Sequence, residues 1–141
     1  MIRYLLDTDH LSLSERGDAR VQRRLLVFGP DQVAISVVSA EEMIRGRLAV
    51  LARHSEGERR VQAHRKFLAT FRFLHGVQIL DFDLDCEKTF TELRRQKIRI
   101  GSQDLRIAAT ALVHECTLVT RNRTDFARVP ALRLEDWSVS A

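Results

Sequence analysis

The sequence predicts an α/β protein, a three-layer α/β/α sandwich around a central, mostly parallel sheet of four to five strands. Short runs that are apolar almost throughout, such as Val33-Ala34-Ile35-Ser36-Val37-Val38, alternate with longer amphipathic stretches. Strands buried on both faces and separated by helices imply a parallel sheet covered on each side. The 141 residues, 45% hydrophobic and 30% charged, suffice for one core and fall short of two. Residues 1–141 are therefore expected to form a single domain.

The elements follow in order. Ile2-Arg3-Tyr4-Leu5-Leu6 reads as a buried strand that stops abruptly at Asp7. Residues 10–28 carry helical spacing, broken near Gly17 and again at Gly29-Pro30. A second strand spans 33–38, β-branched and almost wholly apolar. Residues 40–53 and about 57–75 read as two helices joined near His54-Ser55-Glu56-Gly57. Each is rich in Arg and Glu on one side, and Phe67, Phe71 and Leu74 recur on the other at i, i+4 and i+7, a spacing that predicts core. Residues 77–82 form a third strand, 84–97 and 103–115 two further helices, and Thr117-Leu118-Val119-Thr120 a fourth strand. Leu132-Arg133-Leu134 adds an edge strand before Trp137.

Composition narrows the function classes. No apolar run approaches the roughly 20 residues that span a bilayer. The N-terminal stretch reaches Asp7 too early to hold the apolar segment of a signal peptide. Cys86 and Cys116 lie far apart and form no CxxC, which predicts two buried free thiols in a reducing cytoplasm. The net charge is +4, supplied by 20 Arg against Lys66, Lys88 and Lys97. Guanidinium forks suit phosphate oxygens, so the charge permits a nucleic-acid partner without establishing one. There is no Gly-rich phosphate loop, no GxSxG elbow and no zinc spacing among His10, His54, His64, His75 and His114, which are expected on helix surfaces or ends.

What remains is acid. In a parallel sheet the ligand site lies beyond the carboxyl ends of the strands. Asp7 follows the first strand, Glu42 opens the helix after the second, and Asn122 and Asp125 follow the fourth. Asp104 opens the helix that leads into that fourth strand. Each has an ordinary explanation as well. Thr8 or Asp9 makes a good N-cap, Ser39-Ala40-Glu41-Glu42 is a capping box, and Ser102 caps a helix whose first turn holds Asp104. Capping does not account for an acid at the very end of a buried strand, where desolvation disfavours the charge. Three or four carboxylates at one edge repel one another unless arginine, here Arg121 or Arg123, or a divalent ion neutralises them. Oxygen ligands without Cys or His point to Mg²⁺ or Mn²⁺. Such a set suits phosphodiester hydrolysis, in which metal-held carboxylates activate a water.

Four stretches then resemble the PIN-domain family, and within it the VapC-type toxins of bacterial toxin–antitoxin pairs. They are Leu5-Leu6-Asp7-Thr8-Asp9, the run from Ile35 to Gly46 containing Glu41-Glu42-Met43-Ile44-Arg45-Gly46, the run from Ile100 to Ala111 around Asp104, and Leu118-Val119-Thr120-Arg121-Asn122-Arg123-Thr124-Asp125-Phe126. They cover the chain in the family's order and spacing. The resemblance implies a PIN fold and a Mg²⁺- or Mn²⁺-dependent endoribonuclease. Asp7, Glu42, Asp104 and Asp125 are then the catalytic and metal-holding acids, with Thr8, Thr120, Arg121 and Asn122 supporting the site or its substrate. Many members carry the fourth acid where this chain has Asn122, so Asn122 and Asp125 stay open as alternatives. Asp9 departs from the family's commoner Asn or Ser, and either adds charge or caps. The closing segment through Glu135-Asp136-Trp137 most resembles toxins that cut initiator tRNA, which makes tRNA the expected substrate. A VapB-like antitoxin and a homodimer are the implied partners, with the helix pair at about 40–75 as the antitoxin's docking place.

Three rivals remain. Asp7-Thr8-Asp9 after a strand resembles the nucleophile motif of haloacid-dehalogenase-like phosphatases, although Leu11 stands where that family needs Thr or Val. The second is a PIN-like scaffold that binds without cutting, and the third a PIN nuclease of RNA processing instead of toxicity.

Overall fold

The computed structural model describes residues 1–139. Along them run β1 (Tyr4–Leu6), α1 (Thr8–Glu15), α2 (Ala19–Phe28), β2 (Val33–Ser36), α3 (Val37–Arg53) and α4 (Gly57–His75). There follow β3 (Ile79–Leu80), α5 (Leu84–Arg95), α6 (Ser102–Val113), β4 (Thr117–Val119), α7 (Arg123–Phe126) and β5 (Leu134–Glu135). The strands form one sheet in the order β3-β2-β1-β4-β5, and every neighbouring pair is parallel. The expected architecture holds, with the sheet parallel throughout.

Alternation along β1 assigns the two layers. Leu5, in register with Ala34 and Leu118, packs with Phe90, Leu105, Ile107 and Ala108 of α5 and α6. Tyr4 and Leu6 face the opposite way, toward Leu11, Val21, Met43 and Leu74. Leu5, Ala34 and Leu118 have no exposed surface, which is why these runs lack the polar alternation of a half-solvated strand. On the second face Tyr4, Phe28 and Trp137 form an aromatic triangle with centroids 4.5, 5.1 and 5.4 Å apart. Fully buried Trp137 thereby fastens the C-terminal segment beneath α2.

Four departures from the sequence reading have local causes. The second strand stops at Ser36, whose hydroxyl accepts from Val38 N at 3.0 Å and starts α3 at Val37. The β-branched Val37-Val38 pair reads as strand by propensity, but the cap prevails. The Ser39 capping box therefore does not form. The third strand shrinks to Ile79–Leu80. On α4 the buried positions are Ala63, Thr70 and Leu74, whereas Phe71 is 53% exposed and is not core. Thr70 belongs to a polar knot that pins three helices. Glu15, at the end of α1, accepts from Arg47 Nη2 of α3 at 2.7 Å and from Thr70 Oγ1 of α4 at 2.8 Å. Cys86 and Cys116 are free and buried, and burial pushes the Cys116 thiol up to about 11.

Candidate active site

The strand order turns at β1: β2 and β3 lie to one side, β4 and β5 to the other. That reversal opens a crevice beyond the carboxyl ends of β1 and β4. Asp7 stands there. Its N–H donates to Val119 O at 3.0 Å, which ties the end of β1 to the end of β4. Its Oδ1 accepts from His10 N at 2.7 Å, so Asp7 itself is the N-cap of α1, not Thr8 or Asp9. Ser or Asn would cap as well. What capping leaves unexplained is a carboxylate only 6% exposed with no Arg or Lys in contact among the described residues.

Glu42 lies in the second turn of α3, not at its opening. The Thr8 hydroxyl, one residue beyond Asp7, stands 2.7 Å from Glu42 Oε1 and 3.0 Å from Ser39 Oγ. A carboxylate only accepts, so the Thr8 hydroxyl donates to Glu42 and accepts a hydrogen bond from the Ser39 hydroxyl. This chain of hydroxyls fixes Glu42 against the start of α1. Asp104 sits in the first turn of α6, whose N-cap is Gly101 and makes no side-chain bond; Ser102 is the first helical residue and not the cap. Asp125 is held by Asn122, which accepts from Asp125 N at 3.4 Å and donates to Asp125 Oδ2 at 2.9 Å. Fully buried Thr120 accepts in turn from Asn122 N at 2.9 Å.

Electrostatics links the four acids. The Asp104 carboxyl is pushed up to about 6, first by burial and then by the negative charges of Glu42, Asp7 and Asp125. No cation is among the groups that set it. Four acids gathered so, with Arg128 Nη1 3.6 Å from Asp125 Oδ1 at one side, make an anionic cluster of hard oxygens whose donor set fits a divalent Mg²⁺ or Mn²⁺.

Arg121 feels the charge of Asp7 but makes no hydrogen bond to any of the four acids. Its guanidinium makes a two-pronged pair with Asp9 at 2.6 and 2.7 Å, and that hydrogen-bonded pairing holds the Asp9 carboxyl below the usual range. Asp9 is thus neither the cap nor a free charge.

The sequence reading missed His10. It was expected on a helix surface, yet it has no exposed surface at all. Its Nδ1 stands 3.4 Å from Asp7 Oδ1 and makes no hydrogen bond, and its Nε2 accepts from Trp137 N at 3.2 Å. The signal was present in the spacing: positions 7, 10, 11 and 14 share one helical face, and Leu11 and Ser14 are buried. Asp7, Asp9 and His10 each bring a ligand atom within 4.8 Å of the others. That trio is a poor cation cage. Arg121 occupies both Asp9 oxygens, and a His10 whose Nε2 accepts a hydrogen bond carries its own proton on Nδ1.

An all-parallel α/β sheet with four carboxylates gathered at its switch point defines an acidic-site α/β fold. Comparison with known proteins makes this specific. The PIN domain family pattern matches residues 4–132. The ribonuclease VapC2 of Rickettsia felis is 30% identical over 140 residues, 95% of this chain and 97% of that protein. The tRNA(fMet)-specific endonuclease VapC of Salmonella typhimurium is 24% identical over 97% of this chain and 99% of its own. Among solved structures, R. felis VapBC2 bound to a promoter DNA fragment superposes with a TM-score of 0.75 at 29% identity, covering 97% of this chain and 99% of that one. The chain belongs to the PIN domain family, in its VapC branch.

Proposed function

We propose that this chain is the toxin of a VapBC-type toxin–antitoxin pair, an endoribonuclease that hydrolyses RNA phosphodiester bonds with Mg²⁺ or Mn²⁺ at Asp7, Glu42, Asp104 and Asp125. The observation that carries this reading is the Asp104 carboxyl, raised to about 6 by burial and by the charges of Glu42, Asp7 and Asp125, of which only Asp125 has an arginine beside it, Arg128 at 3.6 Å. A divalent ion held there supplies Lewis acidity at the phosphate and offsets the gathered charge. The chain's own residues do the rest. Thr8 holds Glu42 in place, Asn122 and Thr120 hold Asp125, and one of the four carboxylates accepts the proton of the attacking water. Arg121, at the rim with Asp9, and Arg128, 3.6 Å from Asp125 Oδ1, are cations available to an RNA phosphate.

The relative named as a tRNA(fMet)-specific endonuclease supports initiator tRNA as the substrate, and the VapBC2 complex supports a VapB-like antitoxin as the partner. Leu48 of α3 and Val61, Leu68 and Phe71 of α4 are exposed, so that helix pair offers an apolar face for an antitoxin helix. A homodimer and a cytoplasmic location complete the reading, with residues 1–141 as one PIN domain. No helix of the described residues is long and apolar enough to cross a membrane.

The test is direct. Purified protein should cut initiator tRNA with Mg²⁺ or Mn²⁺, stop with EDTA, and resume when the metal is restored. Cleavage that ignores EDTA refutes the metal site. Hydrolysis of a small phosphoester with none of RNA favours the phosphatase rival instead.

A further inference from the structure

We propose that His10 is a positioning residue for Asp7, and that through it the buried C-terminal Trp137 holds the acid site in shape. The inference rests on the reading of Asp7 as a metal-holding acid and adds a group outside the four carboxylates.

The geometry is specific. His10 is fully buried, so its imidazole was taken out of water at a site where an aliphatic residue would fill the same space. Its two nitrogens meet two different parts of the chain. Nε2 accepts from the Trp137 backbone N–H at 3.2 Å. That bond needs the Nε2 lone pair, so the ring proton of the neutral side chain sits on Nδ1. Nδ1 in turn stands 3.4 Å from Asp7 Oδ1 and is without a hydrogen-bond partner. The same oxygen accepts from His10 N at 2.7 Å. Backbone and ring of one residue thus converge on one oxygen of Asp7. The Asp136 carboxylate also approaches Nε2, at 3.5 Å, but its Oδ1 accepts from Ser138 N and Oγ at 2.8 and 2.6 Å.

An Nδ1 held 3.4 Å from a carboxylate oxygen, beside the backbone N–H that already bonds that oxygen, limits how the carboxylate turns, and an oriented carboxylate grips a cation more tightly than a free one; such outer contacts are worth about 10–100-fold in metal affinity. The far end of the device is rigid, because Trp137 is locked in the triangle with Tyr4 and Phe28. The C-terminal segment therefore takes part in the site without reaching the crevice.

The experiment has two independent arms. In metal-free protein, long-range proton–nitrogen NMR of the His10 ring should show protonated Nδ1 and bare Nε2; the reverse tautomer overturns the proposal. In the second arm, Mn²⁺ affinity by calorimetry and initiator-tRNA cleavage are measured for wild type, His10→Phe, His10→Asn and Val21→Ala. Phe removes both nitrogens and should weaken Mn²⁺ binding by about 10-fold or more. Asn places an amide N–H where Nδ1 was, and should recover most of the loss. Val21→Ala, in the same core but away from the acids, controls for lost stability and should bind Mn²⁺ as wild type does. A Phe variant that binds Mn²⁺ normally, or an Asn variant no better than Phe, overturns the proposal. If Phe fails to fold, the tautomer and the Asn variant still decide. A wild type that neither binds Mn²⁺ nor cuts RNA refutes the nuclease reading instead, and the tautomer arm then stands by itself.

Discussion

Helix α1 starts at Asp7 and ends at Glu15, and its surroundings treat the two acids in opposite ways. Burial alone would raise Glu15, but hydrogen bonds from Thr70 and Arg47 and the charge of Lys66 outweigh it and hold the carboxyl below its ordinary range. Its side chain is only 7% exposed, and both oxygens are occupied. At the other end, Asp7 is equally buried, meets a backbone N–H, and adds its charge to the field that pushes Asp104 up to about 6. A carboxylate that holds helices together is sealed by donors. A carboxylate that awaits a cation is left with its charge unneutralised, and the fold bears the repulsion.

The largest effect is expected at the unneutralised end. Asp7→Asn removes a charge but keeps a side chain that caps a helix as well as Asp does. RNA cleavage should fall by at least about 10²-fold, while the melting temperature hardly moves. A large drop in melting temperature, with cleavage per folded molecule intact, would make Asp7 another Glu15.

Next comes the sealed end. Arg47→Ala takes the main donor from Glu15 and leaves a buried carboxylate with Thr70 and the more distant Lys66. Breaking such a pair should cost about 2–3 kcal/mol, at the low end for a buried ion pair because two partners remain. Urea denaturation measures it, and tRNA cleavage by the folded fraction should be unchanged.

Asp104→Asn should do the reverse of Arg47→Ala. The folded carboxyl titrates at about 6 against an ordinary 3.8, so the fold favours the neutral form. Below about 3.8 both folded and unfolded chains are protonated and nothing is lost. Between about 3.8 and about 6 the unfolded chain gives up this proton while the folded chain keeps it, so stability falls as pH rises, and the loss is complete above about 6. The metal-free Asn variant should therefore gain about 1–2 kcal/mol above that pH, reduced by half for partial exposure, and gain nothing in acid. A gain that persists in acid would assign the effect to packing. The same variant should lose cleavage.

The order of these elements was legible in the sequence because parallel strands are apolar throughout, and the four acids stood out as candidates because each lies after a strand or in the first turns of a helix. Convergence was the informative signal, since Glu42 or Asp104 alone invites a capping explanation. Those explanations failed for local reasons. Ser36 began α3 one turn before Ser39, and Gly101 took the cap position before Ser102. His10 was hidden for a different reason: a lone histidine on a helix is ordinarily solvated, and only the return of the chain at Trp137, 127 residues later, buries it. Phe71 shows the opposite error, an aromatic at core spacing whose face of α4 has no element packed over it among the described residues.

The smallest stability effect is expected at a third kind of acid. Asp9 is paired like Glu15 but lies at the rim, with side-chain exposures of 42% for Asp9 and 50% for Arg121. Screened pairs of this kind contribute at most about 1 kcal/mol. Arg121 holds the Asp9 carboxyl low, so that contribution is present above the ordinary carboxylate range and fades as pH falls through the lowered value. Arg121→Ala and Asp9→Asn should therefore destabilise the fold by similar small amounts, less at high salt. Their kinetics should diverge. If the guanidinium serves an RNA phosphate, losing it raises KM for tRNA, while losing Asp9 frees it and lowers KM. Equal changes in both variants would make the pair a structural clasp, a weaker and wetter copy of the knot at Glu15.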